Sequence, residues 1–252
     1  MNLTKEKVDQ FLQARKKAAT TIATGVMLCI LSPMSLLVLL SLSKSDLITL
    51  PSNAASAIGI IILLVIIAIS VGLFVSAGFK LNSFEKLEYD NFNLSTELIN
   101  KVQKAKDQYT KTYATMTISA IVIFILSAIP VISGAFFEDV ADFENIMISL
   151  IAITLIPISI GVFLLVKCNT IMNSYNVLLQ TDDYTVKNKL GRKKMEKYAA
   201  LYWMIASLLY LSYSFITNDW AHSWIIWPIS GILYVIIEKI FALSYKDLPS
   251  KE

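Results

Sequence analysis

Residues 54–79 read AASAIGIIILLVIIAISVGLFVSAGF, with no ionisable side chain before Lys80. An α-helix rises about 1.5 Å per residue, so a run of roughly 20 apolar residues crosses the ~30 Å hydrocarbon core of a bilayer. Working outward from this stretch, five more runs of the same kind appear at 18–43, 112–137, 145–166, 198–218 and 221–241. The last is short unless Glu238 and Lys239 sit at headgroup level, where long side chains snorkel outward. Hydrophobic residues make up 56% of the chain and charged residues 16%, which excludes an ordinary soluble domain.

The charges between the runs alternate in kind. Lys5, Lys7, Arg15, Lys16 and Lys17 precede the first run, Lys80 through Lys111 separate the second from the third, and Lys167 through Lys197 follow the fourth. Lys239, Lys246 and Lys251 close the chain. The other set of connections holds Lys44 alone, against Asp46, Glu138, Asp139, Asp142, Glu144 and Asp219. Because Lys and Arg are retained on the cytoplasmic side, both termini are expected inside. The basic pI of about 8.7 is thereby a matter of topology, and no nucleic-acid partner is expected, since no basic run is interleaved with stacking aromatics. Cys29 and Cys168 read as small apolar residues rather than a disulfide framework.

The runs repeat. Ile69-Ser70-Val71-Gly72-Leu73-Phe74 is matched by Ile158-Ser159-Ile160-Gly161-Val162-Phe163, and Ile30-Leu31-Ser32 before Pro33 by Ile125-Leu126-Ser127 before Pro130. A Ser-aromatic-x-x-Leu segment leaves each pair of runs: Ser83, Phe84 and Leu87; Ser174, Tyr175 and Leu178; Ser244, Tyr245 and Leu248. In the first two copies Asp90-x-Phe92-x-Leu94 is echoed by Asp182-x-Tyr184-x-Val186. The expected fold is therefore all-α, a polytopic membrane protein of six transmembrane helices in three consecutive parallel hairpins. The division is a cytoplasmic amphipathic segment 1–17, a first hairpin 18–94, a cytoplasmic helical loop 95–111, a second hairpin 112–186 and a third hairpin with its tail 187–252.

The nine exit residues have two readings. The aromatic ring and the Leu share a helical face and either pack within the bundle or form a cytoplasmic docking surface. Val8, Phe11 and Leu12 give the N-terminal segment an apolar face, as Leu98, Val102 and Ala105 give residues 96–109, with Ser95 as N-cap. Either segment reads as a short surface helix. Outside, the acidic loop 138–144 reads as solvated. Asp219, Trp220, His222, Trp224 and Trp227 form a candidate outer interface, the tryptophans suiting an interfacial belt.

No catalytic, cofactor-binding or metal-binding set emerges. His222 is the only histidine, mid-span charges of the kind that mark ion coupling are missing, and no phosphate loop, dinucleotide fingerprint or zinc-protease helix is present. Pro33, Pro130, Pro157 and Pro228 are placed to kink spans and free carbonyls.

Residues 215–220 (FITNDW), residues 224–233 (WIIWPISGIL) and the opening 18–33 segment with Cys29-Ile30-Leu31-Ser32-Pro33 resemble a family of multi-span membrane regions from Gram-positive bacteria. In many members such a region follows an Xre-type helix-turn-helix. Segment 1–17 is too short to hold that motif, so the resemblance implies a stand-alone membrane module without DNA binding. The expectation is a non-enzymatic sensor or accessory protein of a bacterial cytoplasmic membrane, connected with envelope stress or antimicrobial peptides, with the lipid bilayer and a cytoplasmic or membrane protein as partners. A small permease or transporter subunit and a bacteriocin immunity protein are the alternatives.

Overall fold

A computed structural model describes residues 3–45 and 47–244. Among these the secondary structure is helical, without a strand. In order the helices are α1 (Lys5–Lys44), α2 (Ser52–Asn82), α3 (Glu85–Tyr89), α4 (Thr96–Leu126), α5 (Ile129–Ser133), α6 (Phe143–Leu179), α7 (Val186–Thr217), α8 (Trp220–Ser223) and α9 (Ile226–Leu243). Six stretches are long and apolar enough to cross a membrane, one for each apolar run of the sequence.

Several helices are much longer than a bilayer requires. The 40 residues of α1 extend to about 60 Å, twice the hydrocarbon thickness. The expected surface helices at the N-terminus and at 96–109 are therefore the first turns of α1 and α4, continuous with the spans. Each begins at a cap: Thr4 Oγ1 accepts from the Lys7 amide, and Ser95 Oγ accepts from the Leu98 amide, both at 3.4 Å. Their apolar stripes are covered, with Val8, Phe11, Leu98 and Val102 buried. Lys101 donates to the Asp9 carboxylate at 2.8 Å, joining the two extensions.

The prolines act according to their place in a helix. Pro33 and Pro157 lie inside α1 and α6. Pro130 sits in the first turn of α5, after α4 has ended at Leu126, so the third span is broken there. A proline lacks the amide that a continuing helix needs and crowds the preceding carbonyl. Pro228 falls in the first turn of α9, where amides have no intrahelical acceptor and proline is tolerated.

The chain divides into two compact units. Of the described residues, one unit comprises those in 4–83 and 95–175, and the other comprises 84–94 and 176–244, together with Leu3. The first two hairpins thus share a unit, while the segment expected to belong to the first hairpin, 84–94, is grouped with the third.

Within the four-span unit, burial follows the solvent. In the spans the enclosed residues are small: Ala23, Gly25, Ser32, Ala55, Ser70 and Ala120 are examples. Lipid tails are as apolar as leucine, so helices in a bilayer associate through close approach rather than by hiding large side chains. Ser70 and Ser159, equivalent in the repeated motif, are both fully buried, and each satisfies its hydroxyl on a carbonyl of its own helix, Ile66 and Ile156. Gly25 faces Phe74, and Gly161 faces Phe124, with ring carbons 2.5 Å from where a Cβ would stand. Ser41 and Ser149 share a 2.7 Å hydroxyl contact between α1 and α6. Lys44 pairs with Glu144 at 3.7 Å.

Gly59 approaches α1 most directly, since a Cβ there would lie 2.8 Å from the Leu36 Cα, whereas one at Gly72 would meet nothing within 4 Å. Gly59→Ala must separate α1 from α2, at a cost of about 1–3 kcal/mol. Gly72→Ala, which removes a flexible residue from a helix interior, is expected to leave stability unchanged or slightly raised. Thermal unfolding of the two variants in the same detergent checks the difference.

Candidate functional site

In the unit containing α7, the built site lies around the first turns of that helix. Thr185 caps α7, its hydroxyl accepting from the Asn188 amide at 3.4 Å. Lys189, Arg192 and Lys193 follow three and four residues apart and so fall on one face. This face meets the aromatic residue of both Asp-x-aromatic copies. The Lys189 ammonium lies 4.7 Å from the centre of the Phe92 ring, and the Arg192 guanidinium 5.9 Å from that of Tyr184. Cations over aromatic faces are attracted by the ring quadrupole, more strongly when water is excluded.

Lys189 is almost completely buried. Its Nζ donates to the Leu87 carbonyl at 2.7 Å and the Asp90 carbonyl at 3.1 Å. Lys193 donates to the Asp90 carboxylate at 2.9 Å. Two further contacts hold the same segment: Gln180 Nε2 donates to the Phe92 carbonyl at 2.8 Å, and the Leu3 amide to the Asn93 carbonyl at 3.3 Å. Four carbonyls of 84–94 are thus satisfied from outside the segment. A shallow depression of about 330 Å³ opens along it, lined by Lys86, Leu87, Asp90, Asn91 and Phe92. On the other side of α7, Gly191 allows contact with α9, a Cβ there falling 2.7 Å from the Ala242 nitrogen. Arg192 pairs with Glu238 at 3.7 Å, and Lys239 with Asp183 at 2.9 Å.

Desolvation dominates the titration of Lys189 and lowers it to about 8, opposed by the Asp90 charge and aided by Arg192. Asp90 is lowered by its hydrogen bond from Lys193, and Asp183 by that from Lys239.

The candidate docking residues are placed unequally. Leu87, Ser174 and Leu178 are buried, so the chain itself encloses them. Phe84 and Tyr175 are half-buried, and Ser83 and Ser244 are exposed. Tyr245 and Leu248 lie outside the described residues. The copies also differ in form, because α2 stops at Asn82 whereas α6 continues through Ser174 to Leu179. Tyr175 packs on Tyr109 of α4 with ring centroids 5.9 Å apart.

At the opposite end of α7, Asn218 adopts a left-handed conformation, with φ 53°, and ends the helix. Asp219 then holds His222, with Nδ1 2.8 Å from a carboxylate oxygen. Trp220 packs edge-on against Phe215 at 5.2 Å, and Trp224 is exposed. Trp227 is part of a longer column: it lies 5.4 Å from Tyr210 and 6.4 Å from Trp203, which in turn stacks on Tyr234 at 5.7 Å. The spacing Trp227, Tyr234, Phe241 is sevenfold, which lines one face of a helix. That spacing, visible in the sequence, distinguishes a hairpin seam from a simple interfacial belt.

Among the described residues, no three His, Cys, Asp or Glu side chains gather as a metal ion requires. Comparison with protein-family models, with curated proteins and with solved structures gives no match.

The lowered titration of Lys189 has a definite sign. Between about 8 and 10.5 the folded chain binds fewer protons than the unfolded one, so the penalty on the charged form is complete below 8 and is relieved as pH rises. Asp90 and Asp183 titrate only in acid. Tyr109, raised to about 12 by burial, acts in the opposite sense above pH 10. Stability should therefore rise from pH 7.5 to 9.5, and Lys189→Met should flatten that rise. Thermal melts across this range check it.

Proposed function

We propose that this chain is a non-enzymatic integral membrane sensor or accessory protein that acts on a partner at its basic end. In this reading the chain sits in a bacterial cytoplasmic membrane as three parallel hairpins, with both termini in the cytoplasm. The observation that carries the proposal is the arrangement on α7, where Lys189 and Arg192 hold the aromatic residues of both Asp-x-aromatic copies. Repeated motifs that converge on one helix give the basic end a shaped, polar-bonded structure. The connections at the acidic end are short, and one of them carries the turn in which Asp219 holds His222.

The equivalent burial of Ser70 and Ser159 supports the hairpin repeat, and the segregation of Lys and Arg supports the orientation. On this reading the outer turn and its tryptophans meet lipid headgroups or a membrane-active peptide. A change in hairpin packing then reaches the cytoplasmic end through helices that are continuous across the bilayer.

Topology and partner are tested separately. Single Cys replacements at Lys44, Glu138 and Asp219 should react with an impermeant maleimide added to intact cells, while replacements at Lys104 and Lys197 should react only after lysis. The reverse pattern would remove the basis for an inward action. Photocrosslinking groups at Ser83 and Tyr175 should then capture a protein in cells. Uptake of solute by the purified chain in liposomes, with no captured protein, would instead support a permease.

A further inference from the structure

The segment Phe84–Leu94 sits against α7 as a ligand sits in a site. Its sequence is acidic and amphipathic: Glu85, Glu88 and Asp90 outweigh Lys86, while Leu87 and Phe92 supply the apolar contacts. Its seat has the complementary character. Lys189 and Lys193 meet the Leu87 and Asp90 carbonyls and the Asp90 carboxylate, and Val177, Leu178 and Met195 of the same unit are buried. Beyond the short helix α3, the segment has no regular structure of its own, and groups from outside it satisfy its Leu87, Asp90, Phe92 and Asn93 carbonyls.

Holding it there is costly in two further respects. Helix α6 ends in a Schellman arrangement, with the Thr181 amide on the Asn176 carbonyl at 3.0 Å and the Gln180 amide on that of Val177 at 3.3 Å. The left-handed position of this motif normally belongs to glycine, but here Gln180 occupies it at φ 51°. The Gln180 side chain gives its amide hydrogen to Phe92, while its buried Oε1 has no hydrogen-bond partner. Backbone strain and an unsatisfied polar atom persist where the surroundings over-determine them, and both favour function over stability.

We infer that the basic face of α7 is a docking surface for an acidic amphipathic protein segment with a carboxylate two residues before an aromatic ring, and that Phe84–Leu94 occupies it as an internal, displaceable ligand. The inference rests on the proposed inward action and names the chemistry of the partner. In the second copy only the aromatic half of this recognition recurs, with Arg192 over the Tyr184 ring and the Asp182 carbonyl accepting from Asn188. A partner bearing such a segment would compete for Lys189 and Lys193, and displacement would expose Leu87 and Phe92.

The test uses the full chain in detergent and a fluorescent synthetic peptide of residues 84–94. Asp90→Ala/Phe92→Ala weakens the internal ligand without altering the seat. The peptide should bind this variant at least about tenfold more tightly than the wild type, since the double change removes the buried Phe92 ring from beside Lys189 as well as the exposed Asp90–Lys193 pair. Asp90→Ala alone should fall between them, and this milder change carries the test if the double variant does not fold. Adding Lys189→Ala should abolish the gain. Amide exchange within 84–94 should accelerate in Asp90→Ala while exchange in residues 20–43 is unchanged. Equal binding to wild type and variants, or binding to none, would overturn the inference, as would exchange that accelerates throughout. Neither result would bear on the cellular crosslinking, which can fail independently while the peptide still binds.

Discussion

The basic end of this protein depends on one buried ammonium group. Taking a lysine out of water is unfavourable unless its charge is met by hydrogen bonds, and Lys189 meets two carbonyls and a ring face. The Leu87 carbonyl lies in the last turn of α3, where no later amide of the helix reaches it, and the Asp90 carbonyl follows that helix before α4 begins. Backbone acceptors in such a place require partners from elsewhere if they are buried. The lysine and the segment thus satisfy one another, and neither conformation is self-sufficient. This mutual dependence explains why 84–94 is grouped with residues 176–244 rather than with the helices that precede it.

The spans obey a different rule. Without water there is little to gain from hiding a leucine, and the exposed faces of the α2 and α7 spans carry large apolar side chains, aliphatic on α2 and mixed with aromatic on α7. Close contact is made instead at Gly25, Gly59 and Gly161, where neighbouring atoms leave no room for a side chain. Where the same helices emerge into water, the buried residues become large: Val8, Phe11 and Val102 in one unit, Leu87, Phe92 and Met195 in the other. A single helix such as α1 is therefore held by small-residue contact along its span and by the hydrophobic effect at its end.

This difference decides what the sequence made legible. The six spans follow from length and composition alone, and the alternation of charge predicts an orientation. Ser95 was readable as a cap because capping is a local event. The continuity of α1 and α4 was less so, since a change from polar to apolar composition resembles a boundary but gives no reason for a helix to stop. Pro130 and Pro228 each fall in the first turn of a new helix, α5 and α9, where proline is tolerated, so neither is the mid-helix kink that its place in an apolar run suggests. Lys189 was missed altogether. Within a run of Lys and Arg attributed to topology, nothing local marks the one base that is buried, although its spacing with Arg192 and Lys193 places three cations on one face. Recognising the partner required the tertiary proximity of Asp90 and Phe92.

Topological charge and specific charge are thus not alternatives on α7. The positive-inside preference sets only how many basic residues a connection carries and leaves their side chains free to be used. Lys187 and Lys197 can satisfy it from the surface. Lys193 does so while bonding Asp90, and Lys189 does so while enclosed. Once a connection must be rich in bases for insertion, acidic segments are the natural elements to fold against it, and 84–94 with its three carboxylates is such an element. The electrostatic preference that draws the chain's own acidic segment onto α7 is the one that the proposed partner would have to match.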